Sequence, residues 1–182
     1  MSLKNMYLIV GPSGSGKTSI TNELRTTYGY KTVESYTTRP PRYEGERGHI
    51  FVTDEEFNAL GPMCAYTEYN GYRYGVTEDV IDSHDIYVID PYGVKYLAEH
   101  YEGKKLLIPI RIYVTLKVRL MRMRQRGDSE EEIYKRDYQD DRSFGEGTDE
   151  EDICYAMTVP NNDFTNTVEA IYNFIQCWEG EE

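Results

Sequence analysis

The sequence predicts an α/β fold, a parallel sheet covered by helices on both faces and interrupted by one inserted lobe. Three observations predict it. Apolar strand-like runs alternate with helical patterns through most of the 182 residues. A glycine-rich turn joins the first such run to the first helix. Residues 33–82 break the rhythm, being rich in Tyr, Arg, Pro and Gly with only short strand-like runs such as Ile50-Phe51-Val52.

Met6 to Val10 is a short apolar run that ends at Gly11. Ile20, Leu24 and Tyr28 then recur four apart, which places them on one helical face, and Gly29 stands at a natural helix stop. Ile86 to Ile89 reads as a second buried strand, closed by Asp90 and followed by the helical pattern of Val94, Leu97 and Tyr101. Leu106 to Val114 reads as a third strand, after which Val118, Met121 and Gln125 follow helical spacing. Ser129 followed by Glu132 spells a capping box, so Gly127-Asp128 is expected to separate two helices. Ile153 to Val159 reads as the last strand. Thr165 to Trp178 then carries Val168, Ile171, Tyr172, Ile175 and Trp178 on one helical face.

The length fits a single domain, 1–182, with room for mobile insertions but not for a second core. No apolar run approaches the roughly 20 residues needed to cross a bilayer, and no signal-peptide layout opens the chain, so a cytoplasmic protein is expected. Cys64, Cys154 and Cys177 are odd in number and far apart, which suggests neither a disulfide framework nor a zinc site. A net charge of −12 argues against nucleic acid or anionic membrane as partners. The cations are nevertheless gathered: Arg111, Lys117, Arg119, Arg122, Arg124 and Arg126 follow one another with no acidic residue between them. That clustering suits a small polyanionic ligand.

Gly11-Pro12-Ser13-Gly14-Ser15-Gly16-Lys17-Thr18 matches G-x-x-x-x-G-K-[ST], after a predicted strand and before a predicted helix, as the motif requires. The glycines let backbone N–H groups turn inward into a nest for phosphate oxygens at the positive end of the helix. Lys17 would reach the β- and γ-phosphates, and the Thr18 hydroxyl would ligate Mg²⁺. Gly11, Ser13, Gly14, Ser15, Gly16, Lys17 and Thr18 are therefore the candidate ATP-binding residues. The loop says nucleotide, not reaction.

The acceptor side is more telling. Ser35-Tyr36-Thr37-Thr38-Arg39-Pro40-Pro41-Arg42, Gly45-Glu46, Phe51-Val52, Glu55-Glu56-Phe57 and Gly71-Tyr72-Arg73-Tyr74-Gly75 follow in order. With the phosphate loop and Asp90-Pro91-Tyr92-Gly93-Val94, this array resembles the guanylate kinases, P-loop enzymes, from about Tyr7 to Ile175. Two arginines three apart beside hydroxyls make a fork for a terminal phosphate. The resemblance implies a core of 4–32, 83–121 and 143–180, an acceptor-binding lobe at about 33–82 and a lid at about 122–142. Lobe and lid are expected to close on ligand. It further implies that Ser35, Arg39 and Arg42 hold the acceptor phosphate with help from Tyr74, and that Arg122, Arg126 and Arg136 are lid cations. With Lys17 and Arg39 these three form the candidate catalytic set. Arg119 and Arg124 match no family position and read as solvated charges. Asp90 is expected either to order a magnesium-bound water or to touch the acceptor. Asn161 and Asn162 follow the last strand, where the family places a loop near the donor adenine, and Asn162 is the candidate contact. An Asn-rich turn reads equally well there.

The pattern departs where the family reads guanine, since Ala65 and Val76 stand at those positions and neither can make the hydrogen bonds. Glu68 and Thr77 are nearby substitutes. His49-Ile50 replaces an expected tyrosine, leaving His49 as a phosphate donor or a surface residue. Ribose 1,5-bisphosphate kinases share the frame and need no base reader; Gly48-His49-Ile50, Tyr74-Gly75-Val76 and Asn161-Asn162-Asp163 look somewhat like them. The expected reaction is ATP-dependent transfer to a nucleoside monophosphate, GMP or dGMP by default, with Mg²⁺. The ribose bisphosphate kinase is the alternative and a non-catalytic scaffold the lesser one. ATP and a small phosphorylated acceptor are the expected partners. Monomer and dimer both remain open.

Overall fold

A computed structural model describes residues 4–41, 44–46, 48–69, 71–145 and 147–180. The central sheet contains β1 (Asn5–Val10), β6 (Ile86–Val88), β7 (Leu106–Tyr113) and β8 (Met157–Pro160), all parallel in the order β6-β1-β7-β8. β1 runs through the middle, with Tyr7 opposite Ile86 on one side and Ile108 on the other. Successive residues of a strand face opposite ways. Tyr7 and Ile9 accordingly join a cluster with Ile20 and Leu24 of α1 (Lys17–Tyr28) and Ile171 and Ile175 of α7 (Phe164–Gly180). Met6, Leu8 and Val10 enter a second cluster with Val94 and Leu97 of α4 (Pro91–His100). A strand apolar on both faces is what a sheet covered on both sides requires.

The segment that breaks the rhythm builds a second sheet, in the order β3-β2-β5-β4, from β2 (Ser35–Thr37), β3 (His49–Phe51), β4 (Ala65–Tyr69) and β5 (Tyr72–Val76). The short helices α2 (Asp54–Ala59) and α3 (Glu78–Ser83) complete it. Its apolar residues are not isolated: Val33, Cys64, Ala65 and Val76 bury into the same cluster as Met6, Leu8 and Val10. The lobe thus shares a core with the main sheet.

After β7 come α5 (Leu116–Arg126) and α6 (Glu130–Phe144), separated at Gly127 and Asp128. Gly127 is in the left-handed region at φ 94°, and its N–H closes α5 on Arg124. Ser129 and Glu132 form the capping box that the spelling predicts. The helix foreseen from Val118, Met121 and Gln125 is present as α5, and the start of the last strand needs correction. On α5 the buried residues are Arg119 and Met123, whereas Met121 is exposed. The last strand begins at Met157 rather than Ile153, because Asp149–Asp152 form a 3₁₀ turn that buries Glu150 against Arg111 at 2.7 Å. Among the described residues no helix is long and apolar enough to cross a membrane.

Candidate active site

The glycine loop leaves the C-terminal end of β1 and enters α1, with Gly14 and Gly16 in the left-handed region at φ 75° and 97°. Both also lack room for a side chain. A Cβ on Gly14 would stand 2.7 Å from the Arg119 carbonyl oxygen, and one on Gly16 would stand 2.4 Å from Asn161 Nδ2. Lys17 folds back over the loop and donates to the carbonyls of Gly11 at 2.5 Å and Pro12 at 3.1 Å. Burial pushes its ammonium down to about 8, with Asp140 the main opposing pull.

Two cavities meet at this loop. The first, expected to be the donor-side cleft, has about 630 Å³ and is walled by Gly14, Gly16, Lys17 and Thr18, by Arg122 and Arg126 of α5, and by Asn161. The second, expected to be the acceptor-side cleft, has about 790 Å³ and is walled by Gly11, Lys17, Ser35, His49, Glu68, Tyr74, Asp90 and Asp140 among others. Ser13, Lys17 and Arg136 border both. Each volume suits a nucleotide-sized ligand.

The three arginines expected as lid cations each have a partner. Arg122 donates to the Asn161 carbonyl at 2.8 Å. Arg126 and Arg136 share one carboxylate, that of Asp128: Arg126 Nε donates to it at 3.0 Å and Arg136 Nε lies 3.6 Å away. On the acceptor side, Ser35 Oγ and His49 Nδ1 are 2.9 Å apart, and the His49 and Tyr74 rings meet edge-on at 5.5 Å. Parallel pairing of β2 with β3 puts Ser35 opposite His49, which brings the two together. Arg39 is different. Its guanidinium is buried in a two-pronged bond to Glu46, at 3.2 and 2.8 Å, and lies outside the cleft lining. Its Nε–H is buried without a hydrogen-bond partner among the described residues. Arg42 lies outside the described residues.

Asp90 caps α4, its Oδ1 accepting the Gly93 N–H at 2.8 Å. Burial raises its carboxyl, while the Gly93 N–H and the more distant Lys17 lower it. Glu68 borders the acceptor cleft and accepts the Tyr66 hydroxyl at 2.5 Å. Thr77 stands at the start of α3 and does not line that cleft. Asn162 is exposed, and its neighbour Asn161 occupies the place foreseen for it. The Asn161 N–H extends the β8 pairing to the Tyr113 carbonyl, and its side chain turns inward to donate to Ser15 O at 2.8 Å. The following residue faces out.

Sequence reasoning missed two residues that matter here. Arg119, expected as a solvated charge, is buried and donates to Ser13 O at 2.9 Å, to Asp137 at 2.9 Å and to Asp140 at 2.7 Å. Asp140 also accepts the Ser13 N–H at 2.9 Å and the Ser13 hydroxyl at 3.2 Å. Arg124 is exposed, as expected, in a pair with Glu130.

The Lys17 value carries an expected pH dependence. Phosphate oxygens placed beside the ammonium, as the glycine-loop motif predicts, would raise its pKa in the complex, so nucleotide binding would take up a proton between the two values. Affinity for MgATP is expected to hold below pH 8 and to weaken above it, by up to about tenfold per pH unit. Titration calorimetry at pH 7 and pH 9 measures this, and equal affinities would contradict it.

A family model described as guanylate kinase matches residues 3–177. The guanylate kinase of Alkalilimnicola ehrlichii is 30% identical over 178 residues, covering 90% of this chain and 83% of that protein. The ribose 1,5-bisphosphate phosphokinase PhnN of Pantoea vagans is 32% identical over 143 residues, covering 74% and 80%. A shorter match to the guanylate kinase of Polaromonas sp., 32% identical over 84 residues, covers 43% of this chain and 41% of that protein. The crystal structure of guanylate kinase from Anaplasma phagocytophilum superposes with a TM-score of 0.64 at 22% identity over 100% of this chain and 89% of that one, a likeness in fold. With a family model covering nearly all of it and a relative of this identity along nine-tenths of its length, the chain belongs to the guanylate kinase family.

Proposed function

We propose that the protein transfers the γ-phosphoryl group of ATP to a nucleoside monophosphate, GMP or dGMP by default, giving ADP and the diphosphate. The observation that carries this reading is the junction of the two clefts at Ser13, Lys17 and Arg136. A donor phosphate in one and an acceptor phosphate in the other would be close enough for direct transfer. The acceptor phosphate is already nucleophilic, so no protein base is required. Lys17, Arg122, Arg126 and Arg136 would offset the crowded negative charge, and Ser35, His49 and Tyr74, which border the acceptor cleft, would align the acceptor; Arg39 would have to turn from Glu46 to join them.

Magnesium fits this donor set. The Thr18 hydroxyl borders the donor cleft, and among the described residues no group of three or more His, Cys, Asp or Glu could cage a metal. One hydroxyl suits an ion held mainly by phosphate oxygens and water, and Asp90, which borders the neighbouring cleft, would be the candidate to order one such water. Such an ion would supply neutralisation of the phosphate charge.

A second reading, transfer to ribose 1,5-bisphosphate, is favoured by one observation. Ala65 and Val76 pair across β4 and β5 and are 1% and 0% exposed within the shared core. Neither side chain can offer a purine a hydrogen bond, which would leave discrimination among bases poor. Release of ADP with a panel of monophosphates and ribose 1,5-bisphosphate separates the readings. Turnover of GMP or dGMP is expected. Turnover of the sugar bisphosphate alone would replace the first reading with the second, and turnover of neither would leave a binding scaffold.

A further inference from the structure

Ser13 is gripped at both of its peptide bonds by charged side chains that no step of the transfer uses. Its N–H and hydroxyl go to Asp140 of α6, and its carbonyl accepts from Arg119 Nε of α5. Arg119 in turn donates to Asp140 and Asp137, and both Arg119 and Asp140 are buried. The ring of bonds is closed. Gly14 rests directly on the α5 backbone at Arg119, where even a methyl group would collide.

On the reading of Gly11–Thr18 as the ATP phosphate loop, we propose that Arg119, itself oriented by Asp140 and Asp137, is a positioning residue that aims the Gly14 amide at the donor phosphates. The C=O and N–H of a trans peptide point in opposite directions. Capture of the Ser13 carbonyl by Arg119 therefore turns the Gly14 N–H the other way, and Gly14 borders the donor cleft. The same device recurs two residues on. Ser15 O is taken by Asn161 Nδ2 at 2.8 Å and by Arg122 at 3.4 Å, which turns the Gly16 N–H. Alternate carbonyls are tethered from outside, and the intervening amides form the inward nest. Asp140 fixes the preceding peptide in the same manner, since Pro12 O at its far end accepts from Lys17. The loop is thus shaped before any anion arrives, and the ordering cost of donor binding falls.

A buried ion pair with a merely structural role predicts something different, and neutral replacement of both partners separates the two. Such pairs can be exchanged for apolar residues without loss of stability. The double variant Arg119→Met/Asp140→Leu is expected to keep the wild-type thermal midpoint while its Kd for MgATP, by calorimetry, rises about tenfold or more. In steady state the KM for ATP should rise with it; Arg119→Lys, which leaves Asp140 beside Lys17, is the variant expected to keep kcat at saturating ATP and the acceptor KM within about twofold of wild type. Arg119→Lys, which keeps the charge and loses the fork, is expected to weaken MgATP about fivefold, and it carries the test if the double variant does not fold. Wild-type MgATP affinity in either folded variant would overturn the proposal. Direct binding needs no acceptor, so MgATP binding without turnover of any acceptor would sink the proposed reaction and leave this inference standing.

Discussion

Lys17→Met is expected to lower kcat by about two to three orders of magnitude, because it removes a preorganised cation from the point where charge develops. The fold should not suffer. The ammonium is held near 8 by desolvation, against 10.5 for an ordinary lysine, so the native state disfavours the charged form by up to about 3 kcal/mol at neutral pH. That term destabilises most below pH 8 and fades as the pH rises toward 10.5. Methionine fills similar space without it. A thermal midpoint at pH 7 equal to or above that of the wild type, with turnover almost lost, is the expected pair of results. A variant that kept a third of wild-type kcat would remove Lys17 from the chemistry.

Arg39→Ala should be the most damaging change on the acceptor side, and it should act twice. The side chains of Arg39 and Glu46 are 9% and 7% exposed, so the truncation strips a buried carboxylate of its two-pronged partner. Loss of one member of such a pair costs about 3–5 kcal/mol, which for a domain of this size lowers the thermal midpoint by roughly 10 °C. The second effect is catalytic. The kcat/KM for the acceptor is expected to fall on the order of a hundredfold, with MgATP affinity unchanged. Arg39→Met/Glu46→Leu is expected to recover most of the stability and none of the acceptor use. Full recovery of both would mean that the guanidinium serves only to hold the lobe together.

The frame was legible because its signals are local. The run ending at Gly11, the four-residue spacing of Ile20 and Leu24, and the Ser129 to Glu132 box each fix an element from a few neighbours. The glycine loop between β1 and α1 was legible for the same reason. Arg119 and Asp140 were not, since a type-based reading assigns charges to water. A signal did exist. Arg119 lies four residues before buried Met123, and Asp140 lies seven after buried Ile133, so both charges fall on the inward stripe of their helices. Charged residues on two such stripes are candidates for each other. The Arg39 to Glu46 bond was beyond reach, because it depends on how the loop between β2 and β3 folds. The buried pairing of Ala65 with Val76 explains in packing what the sequence showed only as missing polar groups.

The carboxylate of Asp128 has a further consequence, seen in what two guanidinium groups do before any substrate comes. Arginine side chains lose about 2 kcal/mol of rotamer freedom when immobilised. Arg126 and Arg136, docked on a common counter-ion, have already surrendered part of it. Their mutual repulsion is quenched as well. On the proposed reaction, capture of a phosphate would be an exchange of one anion for another, a swap between partners with little new restraint, and the arms would have the same berth to return to when product departs.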